Sequence, residues 1–126
     1  MRPTDLPKLD VQFDSIIPDG TPSEADGRYG DYAFTFYARF NWWGFAVSPI
    51  NATDPFTMID VAQCHPEKRI EHFGDAVVSE FEHSFVEIEN EYGADEFAAS
   101  YMPEQEMRRI IDLCLDRFDN WRAKQD

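Results

Sequence analysis

Residues 32–50, YAFTFYARFNWWGFAVSPI, decide the fold. Tyr32, Phe34, Phe36, Ala38 and Phe40 fall on one side of an extended chain, and Ala33, Thr35, Tyr37 and Arg39 on the other. β-formers at a period of two predict a strand with one face in a core. Asn41-Trp42-Trp43-Gly44 separates it from a second strand over 45–50, and the Asn before and Gly after predict a hairpin. Residues 51–55 carry turn chemistry, and FTMIDVA at 56–62 reads as a third strand. Connections this short exclude parallel crossovers, so the sheet is expected to be antiparallel.

Upstream, Leu9, Val11 and Phe13 alternate with Asp10, Gln12 and Asp14, the pattern of a half-buried edge strand. Pro3, Pro7, Pro18 and Pro22 with Gly20, Gly27 and Gly30 crowd the same region, so a Pro/Gly-rich surface loop is expected over 14–30. Downstream the period changes to about 3.6. Pro66 and Glu67 suit a first turn and Gly74 a stop, which predicts a short helix over 65–73. Asp75 then caps a longer helix over 75–92, whose Val77, Val78, Phe81, Phe85, Ile88 and Tyr92 form a stripe, with Gly93 as the stop. Residues 94–101 fit one further helical turn. Pro103 opens the last helix, with Glu104 and Glu106 early, Arg122 and Lys124 late, and an apolar face of Met107, Ile110, Ile111, Cys114, Phe118 and Trp121.

Strands followed by helices are the α+β signature. The expected architecture is one domain over 1–126. It holds a small antiparallel sheet of about four strands in the N-terminal two thirds, covered on one face by two long C-terminal helices.

The chain has 126 residues, 43% of them apolar, which is enough for one core. With 25 Asp and Glu against 11 Lys and Arg, its formal charge is −14. That balance opposes direct binding to nucleic acid or to an anionic membrane surface. There is no apolar run long enough to span a bilayer and no signal-like N-terminal core, so a cytoplasmic setting is expected. Cys64 and Cys114 make no disulfide framework, and Cys114 sits in an apolar context that predicts a buried thiol.

Phosphate-binding glycine loops, a GxSxG elbow, HExxH, paired CxxC and a DxDxDG loop are all missing. His65, His72 and His83 lack the spacing of a metal site. No catalytic residue, metal or cofactor is therefore expected.

What stands out is charge. Between Ile70 and Met107 there are eleven carboxylates and no Lys or Arg. Such a run forgoes the i,i+4 pairs of a mixed helix surface. It is either a solvated face or a surface that steers a basic partner. Adjacent Trp42 and Trp43 point to opposite sides of a strand, and if Trp43 shares the core face with Phe45 and Val47, Trp42 faces outward. Tyr37 and Arg39 extend that outward patch, and Trp is enriched at interface hot spots.

The expected function is that of a non-catalytic acidic inhibitor. It would neutralise a basic protein partner, a nuclease toxin or DNA-binding protein, by covering its positive groove. The expected partner-binding residues are Glu80, Glu82, Glu87, Glu89, Glu91, Asp95, Glu96, Trp42, Tyr37 and Arg39. Likeness to toxin-immunity proteins or DNA-mimic inhibitors rests on size and charge and carries no residues over. The alternative is a small α+β enzyme or ligand-binding domain with a pocket between sheet and helices, drawing on Tyr32, Tyr37, Cys64, His65 and His83. A structural subunit of a larger assembly is the third reading.

Overall fold

The computed structural model describes residues 11–18, 20, 23–50, 59, 69–72, 75–78, 85–89, 92–93 and 98–123, with backbone only for 69–72 and 75–78. In these, the chain is α+β. Strands β1 (Val11–Ile17), β2 (Ser23–Tyr29), β3 (Tyr32–Arg39), β4 (Trp42–Pro49), β5 (Arg69–His72), β6 (Asp75–Val78) and β7 (Phe85–Glu89) form one sheet, followed by helix α1 (Glu104–Ala123). The sheet order is β1-β2-β3-β4-β7-β6-β5, and every neighbouring pair is antiparallel.

The 32–50 hairpin forms as expected, but its turn is Phe40-Asn41, flanked by the Arg39–Trp42 pair. Phe40 leaves the strand, and Trp42, Trp43 and Gly44 join it. Phe34, Phe36, Ala38, Trp43, Phe45 and Val47 face α1, whose Met107, Ile110, Ile111, Cys114, Leu115 and Phe118 complete the core. Phe34, Phe36, Phe45, Phe85 and Phe118 are fully buried there, each contributing about 2 kcal/mol or more. The last helix begins just after Pro103 as its sequence predicts, with Glu104 and Glu106 in the first turn and Arg122 in the last.

Three expectations are corrected. Residues 14–30 are not a loop, because β1 and β2 occupy most of them. In β2, Ser23, Ala25 and Gly27 are buried while Asp26 and Arg28 are exposed. The alternation is genuine, but its inward residues are small, so an apolar count passes over it. A Cβ on Gly27 would stand 2.2 Å from the Gln12 carbonyl oxygen and 2.7 Å from the Phe34 ring, so only glycine fits. Opposite it, Phe13 pairs with Gly27 and Ser15 with Asp26, leaving Asp14 as a bulge. The bulge shifts phase, and the inward residues become Phe13 and Ile16.

Second, the helices expected over 65–73 and 75–92 are, where described, the strands β5, β6 and β7 followed by Tyr92 outside any element. The sheet therefore has seven strands rather than four, and α1 is the one long helix among the described residues. In β7 Phe85 packs with the α1 core, while Val86 and Ile88 join a second cluster on the other face with Ala46 and Ile59. A strand buried on both faces loses its period-two signal, and the spacing of 77, 78, 81, 85, 88 and 92 matched a helix by coincidence.

Third, the strand expected over 56–62 lies outside the described residues except for Ile59, which is helical and 2% exposed. It packs on β4 at Gly44, where a Cβ would come within 2.7 Å of the Ile59 side chain. No described helix is long and apolar enough to cross a membrane.

Candidate functional site

The β3–β4 hairpin end gathers the aromatic residues that sequence reading singled out. Strand alternation sends Trp43 into the core at 6% exposure and Trp42 to the opposite face. There the Trp42 ring lies 5.5 Å from that of Tyr37. Both are partly buried against the Ile59 cluster, so this patch is half interior and half surface. Arg39 is exposed beside them, its guanidinium 4.8 Å from the centroid of the Phe40 ring.

Phe40 itself was not among the expected site residues, since period two placed it on the core face. It is instead 45% exposed, with φ of +54°. That left-handed conformation suits glycine or asparagine and costs a phenylalanine on the order of 1 kcal/mol. Four hydrogen bonds hold the turn in place. The Phe40 amide donates to Ser100 Oγ (2.6 Å), and the Phe40 carbonyl accepts from the Ala99 amide (2.8 Å). The Asn41 carbonyl accepts from the Tyr92 amide (3.0 Å), and Asn41 Oδ1 from the Gly93 amide (2.7 Å). Residues 92–93 and 99–100 are thus both bonded to this turn. Tyr101, next to Ser100, is 61% exposed.

No protein-family model, curated protein or solved structure matches the chain. Its chemistry has to be read from its residues.

The acidic residues divide. Glu80, Glu82, Glu91, Asp95 and Glu96 lie outside the described residues. Glu89 is partly buried at the end of β7. Glu87 does not serve as a surface contact, because it is 1% exposed and its carboxylate pairs with the Arg117 guanidinium. The expected stripe would have turned it toward water. As a strand residue it shares the face of Phe85 and lies under α1. The other three arginines of α1 also meet carboxylates: Arg108 with Glu104 (2.9 Å), Arg109 with Glu106 (2.5 Å) and Arg122 with Asp119 (2.7 Å).

A pocket of about 300 Å³ opens between sheet and helix, lined by Trp43, Glu89 and Tyr92 on one side and Arg109, Ile110, Leu113 and Arg117 on the other. Arg109, Leu113 and Arg117 recur every four residues, a helical stripe legible in the sequence but not read as a site. At its rim Tyr92 donates to Glu106 (2.8 Å), which also accepts from Arg109 Nε and Nη2. Burial and the Glu106 hydrogen bond push the Tyr92 phenol up to about 12. The Arg109 hydrogen bonds, aided by Tyr92, hold Glu106 below the usual carboxylate range against the opposing effect of burial. Neither group sits near neutrality, where an acid–base catalyst works best.

Of the residues considered for a pocket enzyme, the described ones, Tyr32 and Tyr37, do not line this pocket. Tyr32 packs on Phe118 (5.0 Å between centroids), Tyr37 lies on the opposite face, and Cys64, His65 and His83 lie outside the described residues. Cys114 is a fully buried thiol. Among the described residues no cluster of His, Cys, Asp and Glu is arranged to hold a metal.

Proposed function

We propose that this protein is a non-catalytic acidic binding protein that covers the positive surface of a basic protein partner, of the nuclease or nucleic-acid-binding class. The observation that carries the reading is segregation of charge. The run from Glu71 to Glu106 has no Lys or Arg. Strands β6 and β7 lie wholly within it, beside a β5 that begins at Arg69, and residues 92, 93, 99 and 100 that follow are hydrogen-bonded to the β3–β4 turn. The α1 arginines fold back onto carboxylates of the same chain, so they add little positive potential beyond the surface. A field of one sign accelerates encounter with a basic partner and selects against acidic ones.

Glu80, Glu82, Glu89, Glu91, Asp95 and Glu96 supply the charge in this reading, and Trp42, Tyr37 and Arg39 the contact area beside it. The test is retention of one basic protein from nuclease-treated host lysate on the immobilised chain. Release as salt rises, and loss with Glu82→Lys/Glu91→Lys/Glu96→Lys, are expected. Retention unchanged by the triple reversal refutes the acidic surface.

A second reading, a small-ligand site, is favoured by the Trp43–Arg117 pocket alone. The pairing of its arginines with Glu106 and Glu87 leaves that site nearly charge-balanced, which suits a small polar ligand better than a polyanion.

A further inference from the structure

The cavity between the sheet and α1 sorts its chemistry by depth. Its floor is apolar, formed by the buried Trp43 and Ile110 with Leu113 beside them. Its charged groups stand nearer solvent, with the Arg109 side chain 62% exposed and Arg117 and Glu89 partly buried. Glu89 comes from the end of β7 and both arginines from the helix, so opposite charges line opposite walls. Arg109 is held in one orientation. Glu106 accepts from its Nε and Nη2, and Tyr92 donates to the same carboxylate. That pair uses two of the five N–H donors of a guanidinium, and Nη1 meets no acceptor among the described residues.

We infer that this cavity binds a zwitterion, an α-amino acid with an apolar side chain. Its carboxylate meets Arg109, its ammonium meets Glu89, and its side chain lies over Trp43 and Ile110. This rests on the small-ligand reading of the pocket and is independent of the acidic surface. Charge selects the class. A net charge of −14 repels a monoanion, and the two arginines oppose a simple cation, whereas a zwitterion has a group for each wall and no net charge. A carboxylate offers about four lone-pair sites, so Glu89 can receive an ammonium alongside a protein partner. The volume of about 300 Å³ suits a ligand of this size, since small-molecule sites start at about 300 Å³ and combine apolar walls with a few convergent polar groups. Tyr92 and Glu106 fix Arg109 before the ligand arrives, so binding has little left to order there.

L-Phenylalanine, 3-phenylpropanoate and phenethylamine share one apolar body and differ in their charged ends, so they serve as probes in isothermal titration calorimetry at neutral pH. The intact chain is expected to bind L-phenylalanine about tenfold more tightly than either analogue, each of which lacks one charged contact. Arg109→Gln should weaken L-phenylalanine and 3-phenylpropanoate about tenfold and leave phenethylamine within about twofold. Its Tm should stay close to that of the intact chain, because the Arg109–Glu106 pair is largely exposed. Glu89→Gln should instead weaken L-phenylalanine and phenethylamine and spare 3-phenylpropanoate. An analogue that binds as tightly as L-phenylalanine, or an Arg109→Gln effect that is the same for all three, overturns the zwitterion and leaves the small-ligand site standing. Failure of all three to bind overturns the small-ligand site and the inference with it, and leaves the acidic surface to the lysate test.

Discussion

The carboxylate of Glu87 is buried beneath α1 and paired with the guanidinium of Arg117, thirty residues further along the chain. The helix runs antiparallel to β7 here: Trp121 meets Phe85, and Arg117 meets Glu87. A cation and an anion thereby help set the register of helix on sheet beside the apolar Phe85–Trp121 contact. Removing one partner from a buried ion pair is costly, while replacing both with apolar side chains of similar volume is often neutral. Arg117→Met should lower stability by about 3 kcal/mol. Glu87→Leu/Arg117→Met should recover most of that loss, as read by urea unfolding of the four proteins of the cycle.

The Arg109–Glu106–Tyr92 chain makes stability depend on pH at both ends. Glu106 titrates lower in the folded protein than its ordinary value of 4.5, so its contribution is complete above that value and is lost as pH falls through the folded one. The stability gap between the intact chain and Glu106→Gln should therefore narrow below pH 4.5. Tyr92 is raised from 10.0 to about 12, so its contribution is complete below pH 10 and fades as pH rises to about 12. An alkaline titration followed at 295 nm should lose a step near pH 12 in Tyr92→Phe.

Gly27 tests the reassignment of 23–29 from loop to strand. Its position under Phe34 and against the Gln12 carbonyl leaves no room for a methyl group. Gly27→Ala should cost about 1–3 kcal/mol and lower Tm by several degrees. A mobile loop would show almost no change.

The two adjacent tryptophans should separate in fluorescence. Trp43→Phe is expected to remove a blue-shifted, quencher-protected component, since Trp43 is 6% exposed. Trp42→Phe should remove a more accessible one, because Trp42 is only partly buried beside Tyr37. Equal protection of both would contradict the opposite placement of their side chains.

Sequence reading was strongest where one face of an element meets water. The β3–β4 hairpin and α1 carry clean periodicity, and their core residues were legible down to Phe36, Phe45, Ile111 and Phe118. The opposed directions of Trp42 and Trp43 followed from alternation alone. Periodicity failed where burial was two-sided or the inward residues were small. Val86 and Ile88 lie on one face of β7, Phe85 and Glu87 on the other, and all four are buried. In β2, Ser23, Ala25 and Gly27 line the core with too little apolar surface to register as hydrophobic.

The site was legible in part. Tyr37, Arg39 and Trp42 do share one hairpin end, as their spacing implied. Phe40 was missed because period two continues through it, and nothing local says that the turn begins there. Arg109 and Arg117 were not singled out, since their carboxylate partners decide their role.

The sequence by itself determined the α+β class, the central hairpin, the terminal helix with its apolar face, and the −14 charge with its segregation, because composition and local period are one-dimensional properties. Tertiary structure alone decided that Glu87 is interior, that Phe40 is 45% exposed, and that residues 92, 93, 99 and 100 bond to the 40–41 turn. Each of these depends on which distant segment arrives opposite: α1 over β7, and residues 92–93 and 99–100 at the hairpin turn. Burial and hydrogen bonding are properties of that meeting, and no residue carries them in its own neighbourhood of the chain.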